Sequence, residues 1–302
     1  MKFYIVTPTF NSMVWLCRCV RSVADQVGEG VEVHHHIQDG GSGDGTIEWL
    51  RAWQAEHADT AGYTFSIESA ADEGMYDALN KAWDKMPDDA EITAHLNSDE
   101  QYLPGALAGI AESAKRNPTA DLLLGAVFIV DAAGIYHCHR HSAIPHLWSS
   151  YLGCVNPTCV CFHRAASFRK YGVRFDTRLK SIGDVVFYRD IMRSKPRVEL
   201  CNELFVAAYA LTGKNLAWTD ATMADWKIYG PTVPRWRKIL QPFIQRGVNF
   251  GRYATGFFNP PPKSYDIYVG DNDSRKTFQI EKPTYRWRSF SNQLESETQN
   301  GR

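Results

Sequence analysis

With 302 residues, 44% of them hydrophobic and 22% charged, the chain is long enough for a full core in one large domain or two modest ones. A formal net charge of −1 lacks the basic excess that would select for nucleic acid, so none is expected as a partner. Seven cysteines, an odd number in a chain this large, argue against a disulfide framework and for the reduced, mostly buried thiols of a cytoplasmic enzyme. MKFYIVTPTF contains no secretory h-region, and no stretch approaches 18 apolar residues, so neither a leader nor a transmembrane helix is expected.

The first 120 residues alternate strand and helix patterns. Residues 3–7 form an apolar run that stops at Pro8, and Asn11 is a plausible cap for a helix to about Gln26. Val31, Val33, His35 and Ile37 alternate as a second strand. It ends in the glycine-rich run 39–46, which leads into a helix through Trp49, Leu50 and Trp53. Tyr63, Phe65 and Ile67 mark a third strand. Met75, Ala78, Leu79, Ala82, Trp83 and Met86 then recur at helical spacing. A fourth strand, 91–96, runs into Asn97-Ser98-Asp99-Glu100, and Pro104 sits where a further helix should begin. This alternation predicts a mostly parallel sheet wrapped by helices, which binds its ligands at the carboxyl ends of the strands. Polar and glycine residues stand at four such ends: 7–8, 39–40, 69–74 and 97–100.

Beyond residue 120 the texture changes. Residues 121–130 and 135–141 flank Asp131-Ala132-Ala133-Gly134 and predict a hairpin. A short strand (158–162), a helix (about 183–193) and more strands (198–211) follow. The last 90 residues are rich in Trp, Tyr, Pro and Arg and have no clear pattern.

Among residues that can carry chemistry, Asp99 follows a buried-looking strand. A carboxylate there can hold Mg²⁺ or Mn²⁺, which prefer hard oxygen ligands and share them with substrate phosphates. Asp39 can accept a hydrogen bond from a nucleobase or ribose. Either residue can equally be a turn residue bonding its own backbone. The run Gly40-Gly41-Ser42-Gly43-Asp44-Gly45 fits neither G-x-x-x-x-G-K-[ST] nor a clean G-x-G-x-x-G. Its acidic Asp44 disfavours phosphate, so the run reads as a tight turn, with Asp44 or Thr46 capping the next helix.

Four segments in order carry a resemblance: Thr7-Pro8-Thr9-Phe10-Asn11, Gln38 to Thr46, Asp72 to Ala82, and Leu96-Asn97-Ser98-Asp99-Glu100. Together, over about residues 3–210, they resemble the motifs of glycosyltransferase family two, many of whose members build bacterial surface polysaccharides. The resemblance implies a GT-A fold: a Rossmann-like mixed α/β sheet flanked by helices. The catalytic unit would span 1–212, with a nucleotide-sugar half of about 1–120 and an acceptor half of about 121–212. Residues 213–302 would form a C-terminal extension facing the acceptor or a membrane. The reaction implied is inverting, metal-dependent transfer of a sugar, with a UDP-sugar as the favoured donor, to a saccharide or lipid-linked saccharide hydroxyl. Thr7, Pro8, Phe10 and Asp39 would line the base pocket. Asp72 and Lys81 would help hold the base and diphosphate end. Asn97 and Ser98 would lie along the nucleotide sugar, with Asn97 on the ribose, and Asp99 would be the ligand of Mn²⁺ or Mg²⁺. The first aspartate of the family's D-x-D is Asn97 here, which brings no charge, and Glu100 is expected to add charge in the outer shell.

The segment Ser181 to Tyr188 resembles the one in which the family keeps its catalytic base, and Asp184 matches it. A base there would deprotonate the acceptor hydroxyl as it attacks from the face opposite the leaving diphosphate. Without the resemblance, Asp184 reads more readily as a helix N-cap than as a base. A nucleotidyltransferase on a similar scaffold would need a basic loop near the N-terminus, and residues 8–12 hold no Lys or Arg. A non-catalytic nucleotide- or sugar-binding module would keep Asp39 without needing Asp184.

Other clusters compete for attention. The triplet His34-His35-His36, then His137, His139 and His141, then Cys154, Cys159 and Cys161 match no zinc spacing. Trp236, Ile239, Leu240, Phe243 and Ile244 recur at helical spacing within 233–247, and 214–252 holds seven Lys or Arg against two Asp. Such a helix either lies peripherally on an anionic membrane, at its inner face, or packs on the catalytic domain with a solvated basic face. Pro242 is expected to kink it.

Overall fold

The computed structural model describes residues 1–145, 156–212, 220–254, 256–270 and 272–285. Cys154 and residues 213–219 lie outside them.

The apolar run at the N-terminus extends as β1 (Lys2–Thr9), buried from Phe3 onward. Helix α1 (Met13–Ala24) returns the chain to β2 (Glu32–Asp39), and α2 (Thr46–Glu56) leads to β3 (Tyr63–Ser69). β1, β2 and β3 pair in parallel, in a register that brings Thr9, Asp39 and Ser69 level at their carboxyl ends. Helix α3 (Met75–Trp83) carries the chain back across the sheet to β4 (Ile92–His95), which pairs in parallel with the other side of β1. The periodic stripe expected to reach Met86 stops at Trp83. Pro87 follows Met86, and a residue before proline is disfavoured in the helical region.

The second half adds β5 (Glu100–Tyr102), α4 (Ala106–Arg116), β6 (Leu122–Asp131), β7 (Tyr136–Arg140), β8 (Cys161–Arg164), α5 (Ala165–Tyr171), α6 (Gly183–Arg193) and β9 (Val198–Leu211). The hairpin and the helix over 183–193 form as expected. Two elements differ. Residues 158–160 make a single 3₁₀ turn after Pro157, so the strand begins only at Cys161. β9 is one strand of 14 residues whose pairing with β6 is broken by irregularities near Leu124 and Ala126. Among the described residues the main sheet has order β3-β2-β1-β4-β8-β6-β9-β5, with β7 on β6. It is a mixed α/β sheet flanked by helices, as the resemblance implies.

The core fills the space between this sheet and its helices. Tyr4, Tyr102, Phe128, Phe162 and Phe187 are its largest fully buried side chains. The C-terminal segments join it. Helices α7 (Asp220–Tyr229) and α8 (Arg235–Ala254) precede a hairpin of β10 (Ser264–Ile267) and β11 (Lys276–Gln279). Tyr265, Ile267 and Ile280 of this hairpin region pack with Phe128, Val130 and Leu103 in a second apolar cluster. Arg275 makes a two-pronged ion pair with Asp25 at 2.7 and 2.8 Å, clipping the hairpin to the end of α1.

Several buried histidines are kept neutral. Burial holds His35 and His163 down to about 3, and His95 and His139 to about 4. Unfolded imidazoles titrate near 6.5. Below that pH the unfolded chain therefore takes up protons that the folded chain refuses. Each such histidine contributes stability that is fully present above pH 6.5 and is lost as pH falls toward 4, at about 1.4 kcal/mol per pH unit. Asp99 and Glu100 act oppositely, because burial raises them to about 6 and about 8. They weaken stability as pH rises between their unfolded and folded values. Four histidines against two carboxyls leave a net loss on the acid side. Thermal unfolding should shift down by several degrees between pH 6.5 and pH 4.5. An unchanged midpoint across that interval would contradict this reading.

Candidate active site

The strand order reverses between β1 and β4, since the chain builds first to one side of β1 and then to the other. A crevice opens at such a reversal beyond the carboxyl ends of the strands. Phe10, 60% exposed, follows β1 on one side of it, and Asn97-Ser98-Asp99 follows β4 on the other.

The glycine turn after β2 forms a wall of this crevice. Asp39 is fully buried at the strand end. One carboxylate oxygen accepts from the amides of Gly41 at 2.9 Å and Ser42 at 3.0 Å and from the Ser69 hydroxyl at 2.6 Å. The other accepts from the Ser42 hydroxyl. Asp39 thus ties its own turn to the end of β3, and Ser42 and Ser69 are the hydroxyls it orients. The turn is also laced to the loop after β1. The Asn11 amide donates to Ser42 Oγ at 2.8 Å, and the Gly43 amide donates to Asn11 Oδ1 at 2.9 Å. Asp44 accepts from the Thr46 amide and hydroxyl at the start of α2, as expected. It also accepts from the Met13 amide at 3.2 Å, so α1 is capped from this turn rather than by Asn11. Asn11 instead adopts a left-handed conformation, φ 47°. Thr7 is fully buried, its hydroxyl 2.9 Å from His35 Nε2, so it lies behind the crevice wall, and Pro8 is buried beside it.

Asp72 comes to the same wall from the loop before α3. A Cβ on Gly40 would lie 2.8 Å from its Oδ2 and 3.3 Å from the Phe10 ring. Only a residue without a side chain lets these three meet. The other oxygen of Asp72 accepts from the Gly74 amide at 2.8 Å. Lys81, half-buried on α3, pairs with Asp77 at 2.8 Å, and Asp77, followed by Asp72 and Glu73, raises its pKa. Its ammonium also donates to the Ala71 carbonyl at 3.4 Å.

Across the crevice, Glu100 is buried and accepts from the Asn97 amide at 2.8 Å. Burial, then the neighbouring Asp99, pushes its carboxyl up to about 8. Burial also raises Asp99, to about 6. Asn97 Oδ1 is buried without a hydrogen-bond partner. A half-buried carboxylate and an orphaned amide oxygen two residues apart are hard donors that suit Mg²⁺ or Mn²⁺, which takes its remaining ligands from phosphate and water. Ser98 between them is half-buried. Among the described residues no group of three or more His, Cys, Asp or Glu is arranged around a metal position.

Asp184 stands in the first turn of α6, and its Oδ1 accepts from the Val185 amide at 2.9 Å. Three features that the sequence did not reveal hold it there. Tyr76 of α3 accepts from the Gly183 amide at 3.0 Å, and a side chain on Gly183 would overlap the Tyr76 ring. Asp225 of α7, 2% exposed, accepts from the amides of Lys180 at 2.9 and 3.0 Å, Ser181 at 2.6 Å and Ile182 at 3.0 Å. Lys180 then crosses to the Asp72 loop, its ammonium donating to the carbonyls of Glu73 and Thr177. Antiparallel pairing sets the start of β8 beside the end of β4, and Phe187 and Tyr188 of α6 pack on His163 of β8.

The rival histidines are structural. His34 and His36 share Ser66 Oγ, at 2.7 and 2.8 Å. His139 Nε2 and His141 Nδ1 lie 3.1 and 3.0 Å from the carbonyls of Asn259 and Phe257, fastening the segment after α8 to β7. None of the six described cysteines is in a disulfide, and among them only Cys17 is not buried.

Solved structures share this fold. The TarS 1–349 fragment of S. aureus, in complex with UDP-GlcNAc, superposes with a TM-score of 0.58 at 18% identity, covering 72% of this chain and 61% of that one. S. aureus TarS gives 0.59 at 14% identity, over 92% and 60% of the two chains. The mannosyltransferase PcManGT from Pyrobaculum calidifontis, in complex with GDP-Man and Mn²⁺, gives 0.51 at 15% identity over 72% and 58%. The match thus spans about 60% of each solved chain. No curated protein sequence matches significantly. The model of glycosyl transferase family 2 matches residues 4–177, more than half of the sequence, and the chain belongs to that family.

Proposed function

We propose that this glycosyltransferase moves a hexose from a nucleoside diphosphate, with UDP-sugars as the first donor class to test, onto an acceptor hydroxyl with inversion, in the building of a cell-surface polysaccharide. One juxtaposition carries the reading. Hard oxygen donors follow β4, and Asp184 opens the helix that packs on β8, the strand paired with β4. UDP-GlcNAc in the TarS complex and GDP-Man with Mn²⁺ in the PcManGT complex support the donor class at the level of fold.

The base would sit against the wall formed by Phe10, Gly40 and Asp72, with Asp39 acting through Ser42 and Ser69. Asn97 would contact the ribose. Asp99, with Asn97 Oδ1, would hold a divalent cation that neutralises charge on the leaving diphosphate. Lys81 and the Asp72 loop would border the diphosphate. Asp184 takes the proton of the acceptor hydroxyl as its oxygen bonds to the anomeric carbon, and the bond from that carbon to the diphosphate oxygen breaks. The nucleoside diphosphate leaves with the electron pair.

The test is thermal unfolding with UDP-GlcNAc, UDP-glucose and GDP-mannose, with and without Mn²⁺. A ligand that binds only the folded state at 100 times its Kd adds about 2.7 kcal/mol. At least one donor should raise the midpoint, and more so with Mn²⁺. The Asp99→Ala variant should lose the Mn²⁺ increment. An Mn²⁺ increment preserved in Asp99→Ala, or full transfer in excess EDTA, would overturn the metal role.

A further inference from the structure

Helix α8 leaves most of its apolar side chains exposed and half-buries a mixed stripe. Arg237, Gln241, Ile244, Val248 and Arg252 are its half-buried positions, spaced by four, three, four and four residues, so they form one stripe along one side. Arg252 in that stripe stacks over Phe257 at 4.6 Å, and burial lowers its pKa. The other side carries Trp236, Ile239, Leu240, Phe243, Phe250 and Tyr253, all exposed, with Ile239 at 74%, Phe243 at 65% and Phe250 at 78%. An ordinary surface helix buries its apolar stripe. This one presents it.

Charge identifies what covers the stripe. From Trp226 to Tyr265 the sequence holds seven Lys or Arg and no Asp or Glu. Arg235 and Arg246 fall at the Tyr253 edge of the apolar stripe, as the 100° rotation per residue of a helix requires. Arg237 lies over the Trp236 ring at 4.6 Å and Arg246 over Phe243 at 5.8 Å. An apolar strip rimmed by guanidinium groups and carrying Trp, Phe and Tyr matches a bilayer surface. The rings enter the acyl boundary while the cations meet anionic headgroups. Among the described residues no helix is long and apolar enough to cross a membrane. Segments on either side of α8 are tied to the body, through Asp225 before it and the carbonyls of Phe257 and Asn259 after it.

We infer that α8 is an in-plane membrane anchor whose exposed stripe, Trp236, Ile239, Leu240, Phe243, Phe250 and Tyr253, inserts into the headgroup layer of an anionic bilayer. The anchor would hold the transferase body flat against the membrane, where its acceptor is a lipid-linked saccharide. The membrane contact stands on α8 alone. The choice of acceptor rests on the transfer reading above.

The test is cosedimentation of the full chain with vesicles of phosphatidylglycerol and phosphatidylcholine, and with phosphatidylcholine alone, at low and high salt. No donor or acceptor is present, so failure here leaves the transfer reading untouched. Wild type should sediment with the anionic vesicles at low salt and be weakened at least about tenfold by high salt, as screening requires. A Trp236→Glu/Phe243→Glu variant should stay in the supernatant while keeping its circular dichroism and unfolding midpoint, because both side chains are exposed. An Arg235→Gln/Arg246→Gln variant should lose the preference for anionic vesicles. The inference is overturned if wild type does not sediment at low salt, or if the double Glu variant sediments like wild type. It is also overturned if wild type is a dimer that the Glu variant converts to a monomer, which would assign the stripe to a second copy.

Discussion

The Asp184→Asn variant should bind donor as wild type does while its kcat falls by about 10²–10⁴, the usual worth of a positioned base. The substitution keeps the shape of the side chain and its bond from the Val185 amide. What it removes is a lone pair basic enough to take a proton. The acceptor hydroxyl must lose that proton as it attacks, whereas in the proposed site the donor would be held by the opposite wall of the crevice. The effect should therefore fall on turnover and not on nucleotide affinity. Near-normal turnover would make Asp184 a helix-end residue and nothing more. Calorimetry with the nucleotide diphosphate, beside steady-state rates, separates the two outcomes.

The Asp225→Ala variant should be nearly as damaging by a different route. Its carboxylate gathers the amides of Lys180, Ser181 and Ile182, the three residues that lead into α6. Removing it orphans buried donors that were bonded to a charge, at a cost of about 2–4 kcal/mol. The base at the start of α6 then loses its fixed position, and a displacement of about 1 Å can cost 10²-fold in rate. Asp225 would thus be a positioning residue for Asp184, and it lies in the segment after residue 212. Two readouts separate positioning from general destabilisation. At a temperature where the variant is fully folded, kcat should remain low while donor affinity is unchanged, and Asp225→Asn, which keeps one acceptor oxygen, should recover part of the rate. A folded Asp225→Ala enzyme with wild-type kcat would refute the role.

Parts of the fold that depend on local pattern are legible in the sequence. The stripe from Met75 to Trp83 and the helix over 183–193 announce themselves by spacing, because a helix face repeats along the chain. Strand β5 does not. Its residues Glu100 and Gln101 are polar, and only pairing with Tyr209 and Ala208 of β9, more than 100 residues away, makes them a strand. The same limit hides the partners of the site. Asp225 lies 44 residues from Ser181, and Lys180 reaches a carbonyl 107 residues away. No local spacing records such contacts. The residues at strand ends are readable as a group, because parallel sheets bring those ends level. Their division of labour is not. Whether Asp39 spends its oxygens on Ser42 and Ser69 or on a ligand depends on the turn's own amides, and four donors already meet it. The amphipathic pattern of α8 is visible in sequence. That its apolar side faces outward is visible only once Arg252 and Val248 are found against the body.

A single displacement assisted by Asp184 would leave its record in the anomeric carbon of the product. The decisive measurement is the NMR coupling constant of that carbon's proton in the first transfer product, compared with the donor sugar. One in-line attack, with the base on the side opposite the diphosphate, predicts the configuration opposite to that of the donor. A product that retains the donor's configuration would contradict the account.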